Sequence, residues 1–183
     1  MENVNEKQAF GHPLPDFTLR DLAGSEVNLA SALRGKKGAV VVIWSSTCSH
    51  CVRYDGYFNK FSENHPDLAF IALASRHGET AESVKKAAKE RGIQFPIALD
   101  PGGTVAAQWY TNQTPRAFLV DKEARLLYRG AVCNFKYAED PEYVPYLEPA
   151  IADLLAERPV ARTETASFGC AIQSVYYILP RSL

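Results

Sequence analysis

Residues Gly38 to Ser45 read GAVVVIWS, a continuous β-branched and aromatic run bounded by glycine and serine. A run without polar alternation has no solvent face, so it predicts a strand buried on both sides and covered by helices. Immediately after it, Cys51, Tyr54, Phe58 and Phe61 recur at intervals of three and four. That spacing is one apolar stripe of a helix beginning near Cys48 and stopping before Pro66. Leu68 to Ala74 repeats the buried-strand pattern, and Glu79 to Gly92 reads as a helix with Thr80 as N-cap and Val84, Ala87 and Ala88 facing inward. Phe95 to Leu99 predicts a short strand and Thr104 to Tyr110 a short helix. Arg116 to Val120 and Arg125 to Gly130 read as an antiparallel hairpin, and Pro149 to Glu157 as a last helix with Ile151, Leu154 and Leu155 inside. Phe17 to Leu19 and Glu26 to Asn28 flank a turn as a small N-terminal hairpin. This order predicts an α/β sandwich, a mixed central sheet with helices on both faces. The expected organisation is a single domain, 1–183, with its core at about 15–157 and a C-terminal extension, 158–183.

Composition removes several function classes. Twenty basic against 21 acidic residues leave a net charge of −1, and no run of like charge offers a nucleic-acid surface. The most apolar stretch, Gly38 to Ile43, falls far short of the ~20 residues that span a bilayer. The opening MENVNEKQAFGHPLP carries acids and Asn where a secretion signal needs a basic start and an apolar block. The chain as written therefore reads as cytoplasmic, or as periplasmic or otherwise extracytoplasmic if a signal was removed.

The chemistry is carried by Cys48 and Cys51, a C-x-x-C at the junction of the central strand and the helix after it. A thiol in a first helical turn meets unpaired backbone N–H groups and the positive end of the macrodipole, which favour the thiolate. Cys51, three residues on, is placed to attack a mixed disulfide at Cys48, so one motif supplies an exposed nucleophile and a resolver. Zinc would ask for a second Cys or His pair at suitable spacing, and none is present. Haem attachment would need histidine after Cys51, where Val52 stands. No glycine-rich nucleotide fingerprint appears, so no cofactor is expected and electrons should come from another dithiol protein.

The run VVVIWSSTCSHC at Val40 to Cys51, with TPRAFLVD at Thr114 to Asp121, resembles the thioredoxin superfamily, in its TlpA-like and AhpC/TSA (redoxin) branch. The resemblance implies a thioredoxin-like three-layer sandwich and a thiol–disulfide oxidoreductase acting on disulfide- or thiol-bearing proteins together with a reducing or oxidising dithiol protein. It implies that Pro115 is a cis proline facing the cysteines and that Thr114 offers its backbone to an extended substrate. Leu68 to Phe95 matches the strand and helix this branch inserts. Thr47 stands where many relatives carry Trp, and the strand Ala39 to Ile43 lacks the buried acid that some use to move the second cysteine's proton. A peroxidase loop, Pro-x-x-x-Thr-x-x-Cys, is met only in part: Val41 replaces proline and Ser45 threonine. A second alternative is copper handling of the SCO type, through two cysteines and a distant histidine, although that type usually separates its cysteines by three residues.

Ser49 and His50 lie between the cysteines, and His50 resembles the inner histidine of strongly oxidising disulfide donors. Cys133 and Cys170 stand alone as candidate further redox thiols, paired with one another or acting singly; Cys170 sits in an F-G-C element also found in some AhpC/TSA-like proteins. Ile172 to Leu179 is expected to pack on the body or on a second copy of the chain. His12, His65 and His77 read as solvated, and Lys85, Lys86, Lys89 and Arg91 as a solvated basic face.

Overall fold

The computed structural model describes residues 9–173. The central run becomes β3, Gly38–Trp44, buried at all seven positions. It lies between β4, Leu68–Ala74, which runs parallel to it, and β7, Arg116–Asp121, which runs antiparallel. With β1 (Thr18–Asp21), β2 (Glu26–Asn28), β5 (Ile97–Leu99) and β8 (Leu126–Gly130), a seven-stranded mixed sheet forms in the order β2-β1-β5-β4-β3-β7-β8.

Period-two alternation sends β3 side chains to two cores. Val40, Val42 and Trp44 join Phe58, Phe61, Phe70 and Phe95 on one face; Ala39, Val41 and Ile43 join Leu29, Trp109 and Phe118 on the other. The first core is covered by α2 (Ser49–Val52), α3 (Asp55–Asn59), α4 (Phe61–Asn64), α5 (Ala81–Glu90) and α7 (Leu147–Leu155). The second lies under α1 (Leu29–Ala32) and α6 (Thr104–Gln108). This is the three-layer α/β sandwich. No helix among the described residues is long and apolar enough to cross a membrane.

The structure modifies several sequence expectations. The helix expected from Cys48 to Pro66 is three short ones, because the chain tightens to i→i+3 bonds at Cys51 O to Tyr54 N, 3.0 Å, and at Tyr57 O to Lys60 N, 3.2 Å. The apolar stripe survives those breaks, since Tyr54, Phe58 and Phe61 remain buried. Thr80 caps α5 as expected, in a reciprocal box with Ser83. Gly38 has a packing role: a Cβ there would run into the Val120 carbonyl oxygen and lie 2.8 Å from Leu154 Cδ2. His65 is not solvated; it packs on Phe61 and lies 3.0 Å from Glu148 Oε1. Arg91 leaves the basic face as well, turning inward to Asp55.

A pairing that periodicity does not announce joins β6, Gln113–Thr114, to β9, Cys170–Ala171, in antiparallel register, with Thr114 opposite Cys170. The approach to β9 is anchored along β8. The Thr163 carbonyl accepts from Arg129 N at 2.9 Å, and the Thr165 hydroxyl lies 2.6 Å from Tyr128 OH and accepts from Ala131 N at 3.0 Å. Ile172 is then buried in the second core. The rest of the apolar tail singled out above, Val175 to Leu179, lies outside the described residues.

Candidate active site

Cys48 ends the loop leaving β3 and caps α2, and Cys51 follows inside that turn. Both face the loop before β7, where the Thr114–Pro115 bond is cis. Cys48 Sγ donates to the Thr114 carbonyl oxygen at 3.2 Å, and Cys51 Sγ lies 3.2 Å from the Thr114 hydroxyl. That hydroxyl donates its one proton to Ile43 O at 3.0 Å.

The two sulfurs are driven apart electrostatically. The Cys51 thiol hydrogen-bonds the Cys48 sulfur and is the main reason that Cys48 falls from 9.0 to about 5. Burial opposes this, while the thiol and backbone N–H of Cys170 and the backbone N–H of Cys51 assist. Cys51 is pushed well above 9.0, first by burial and then by the hydrogen bond and charge of Cys48. One thiol is ready to ionise and the other holds its proton, the division that nucleophile and resolver require.

Two expectations change here. The helix after Cys48 is a single turn, α2, and the first cause of the low Cys48 value is the Cys51 thiol, with backbone N–H groups adding to it. Cys48 is also not exposed but fully buried. Part of its cover is the segment at Gly169 and Cys170, which lies against Thr114 and Pro115.

The loop carrying Cys48 is fixed by Glu79 and Asp55, which the sequence did not single out, and by Arg91, which it placed on a solvated face. The Glu79 carboxylate accepts from the Ser45 hydroxyl at 2.9 Å, from the Ser46 backbone N–H at 2.5 Å and from the Thr47 backbone N–H at 3.3 Å. Arg91 makes a two-pronged pair with Asp55, 2.7 Å on each prong, donates to Ser46 O at 3.0 Å, and lies 4.7 Å over the Trp44 ring. Nothing local marks Glu79, Asp55 or Arg91; they are exposed-type residues on helices or loops that only the tertiary fold brings under the loop.

Of the other candidates, Ser49 is exposed and His50 is half-buried against Phe135, with ring centroids 5.1 Å apart. Around them lies an aromatic collar: the Arg53 guanidinium stacks 4.2 Å over Phe135 and 4.6 Å over Tyr137, and Phe168 packs on Phe135. Cys133 is buried elsewhere, 3.3 Å from Tyr54 OH. Cys170 is brought to the site; Cys133 is held by Tyr54.

With Cys48 lowered to about 5, the thiolate ultraviolet absorbance of the reduced protein is expected to titrate with a midpoint near that value and to lose this step in Cys48→Ser. Stability follows with a defined sign. A depressed folded-state value contributes stability that is full above the unfolded 9.0 and is lost as the pH falls through about 5. Denaturant midpoints of the reduced protein should therefore fall from pH 9 toward pH 5 more steeply than those of Cys48→Ser; equal slopes would refute the assignment.

The sequence profile of the family described as redoxin matches residues 9–144, which include both cysteines and the Thr114–Pro115 loop. The chain belongs to the redoxin family. Within that family the redoxin chain resembles the thiol-disulfide oxidoreductase ResA of Geobacillus kaustophilus, 35% identical over 118 residues, spanning 64% of this chain and 67% of the relative. ResA of Bacillus anthracis is 28% identical over 122 residues, 67% of this chain and 69% of the relative. Among solved structures, a hypothetical protein, SMc02350, from Sinorhizobium meliloti 1021 superposes with a TM-score of 0.79 at 28% identity, covering 91% of this chain and 95% of that one. This redoxin is a thiol–disulfide oxidoreductase of the TlpA-like branch.

Proposed function

We propose that the protein exchanges a disulfide at Cys48 and Cys51 with an extended polypeptide laid along Thr114 and Pro115. The observation that carries this is Thr114 itself: its carbonyl oxygen meets Cys48 and its hydroxyl meets Cys51, each at 3.2 Å. In the reducing direction the Cys48 thiolate attacks a substrate disulfide, and one substrate sulfur leaves with the electron pair. Cys51 then gives up its proton and attacks the Cys48 sulfur, closing the Cys48–Cys51 bond and releasing the second substrate thiolate. A second dithiol protein restores the reduced pair, and the same steps run backwards donate a disulfide.

Stabilising the Cys48 thiolate stabilises the reduced form, which raises the potential. Glutathione titration with mass mapping of the cysteines is expected to place the Cys48–Cys51 couple between roughly −270 mV, as in thioredoxin, and ~−120 mV, as in strong disulfide donors. Failure of the two cysteines to pair reversibly at any poise would overturn the proposal. Ser45, the partial match to a peroxidase loop, directs its hydroxyl to Glu79, which favours dithiol exchange over peroxide reduction.

A further inference from the structure

The site contains a third thiol that the exchange just described leaves unused. Cys170 lies in β9 opposite Thr114, the residue that also faces both sulfurs of the C-x-x-C. Its thiol and backbone N–H help hold Cys48 low, so three cysteines gather at one threonine. The segment lies beyond residues 9–144 matched by the family.

The seat of this segment is closely fitted. A Cβ on Gly169 would run into the Thr114 carbonyl oxygen and lie 3.1 Å from Pro115 Cδ, so only glycine lets the backbone come this near. Beyond Cys170, Ile172 N donates to Asn112 O at 3.1 Å, and Ile172 O accepts from His77 N at 2.9 Å. The Gln173 backbone N–H donates to Asn112 Oδ1 at 3.0 Å, and its side chain to Gly102 O at 2.7 Å. An extended strand paired at an open edge is a general way of holding a peptide. Here the chain's own cysteine occupies that edge at the nucleophile, which explains why Cys48 is buried.

We propose that Gly169 to Ala171 is an internal substrate strand, whose Cys170 exchanges with Cys48 as the cysteine of an extended Gly-Cys polypeptide would. The inference rests on the proposed exchange at Cys48 and names its substrate class. In the oxidised protein the Cys170 thiolate attacks Cys48 of the Cys48–Cys51 disulfide. The Cys48–Cys170 bond forms, the Cys48–Cys51 bond breaks, and the electron pair leaves on Cys51, which takes up from solvent the proton that Cys170 gave to it. No external oxidant is consumed. In the reduced protein burial, and after it the hydrogen bond and charge of Cys48, push the Cys170 thiol up, and the Arg76 charge and the His50 backbone N–H offset this only in part. Once Cys48 is in a disulfide its charge no longer opposes ionisation of Cys170.

The test is made on the full chain carrying Cys51→Ser, treated with oxidised glutathione, acid-quenched and mapped by mass spectrometry. One glutathione disulfide and the two protein thiols should give an internal Cys48–Cys170 disulfide and two glutathione thiols. A tethered thiol presents an effective concentration of about 1 mM or more, so glutathione well below that level should not hold Cys48 as an adduct. Adding Gly169→Ala should unseat the strand, reduce the internal link about tenfold or more, and leave Cys48 joined to glutathione. A stable Cys48–glutathione adduct in Cys51→Ser, or equal linking with and without Gly169→Ala, would overturn the inference. The wild-type chain quenched during reoxidation guards against a misfolded variant: Cys48–Cys170 should be trapped there beside Cys48–Cys51, and finding only Cys48–Cys51 overturns this inference alone. Finding no disulfide at Cys48 overturns the proposed exchange as well.

Discussion

Replacing Cys48 by serine is expected to bring catalysed reduction of insulin disulfides down to the rate of the added reductant alone. The expected loss is on the order of 10³-fold or more, since a hydroxyl neither ionises near neutrality nor forms a disulfide. Replacing Cys51 should instead preserve the first attack and stop at a disulfide on Cys48. A Cys48→Ser variant retaining more than about a tenth of the wild-type rate would show that another thiol is the nucleophile. The low Cys48 value has a more specific consequence. At pH 7, a fall from 9.0 to about 5 raises the thiolate fraction about a hundredfold. A thiolate that is less basic is also less nucleophilic, and a Brønsted coefficient of about 0.4–0.5 removes roughly 40- to 100-fold of that gain. Attack is therefore barely faster. The benefit falls on the step that expels Cys48 from a mixed disulfide, the last step in donating a disulfide to a substrate.

The largest effect on stability is expected at Arg91. Its side chain is 15% exposed and that of Asp55 10%, so Arg91→Met would leave a carboxylate nearly buried without its counterion. The cost should be about 3–5 kcal/mol, read as a lowered urea midpoint with unchanged slope. Because Arg91 also donates to Ser46 O, the exchange rate should fall with it. Adding Asp55→Leu removes the stranded charge and is expected to recover about half of the loss or more. A single variant costing less than about 1 kcal/mol would mean that water reaches Asp55 freely.

The central strand, the helix stripe and the C-x-x-C at their junction were legible because each is written in consecutive or periodic residues. The TPRAFLVD run located Thr114 and Pro115, although the contact of Thr114 with both sulfurs is a fact of folding. Periodicity could not show that the helix after Cys48 breaks twice, because the breaks keep the apolar face in phase. It also could not show β6 and β9, since a two-residue strand has no period. Glu79, Arg91 and Asp55 were illegible for a different reason: a charged residue on a helix or loop looks the same in sequence whether it faces water or a backbone turn. His65 was misread in the same way, because its partner Glu148 lies far along the chain.

β3 is flanked on both sides and buried throughout, whereas β9 is a two-residue edge strand with only β6 beside it. Sub-global opening follows such differences, and amide hydrogen exchange ranks them. β3 amides should be among the last to exchange, and those of β9 among the first in the ordered core. The cysteine pair thus hangs from the most durable part of the molecule while its cover belongs to the least durable, so the cover can open while the sheet stays closed.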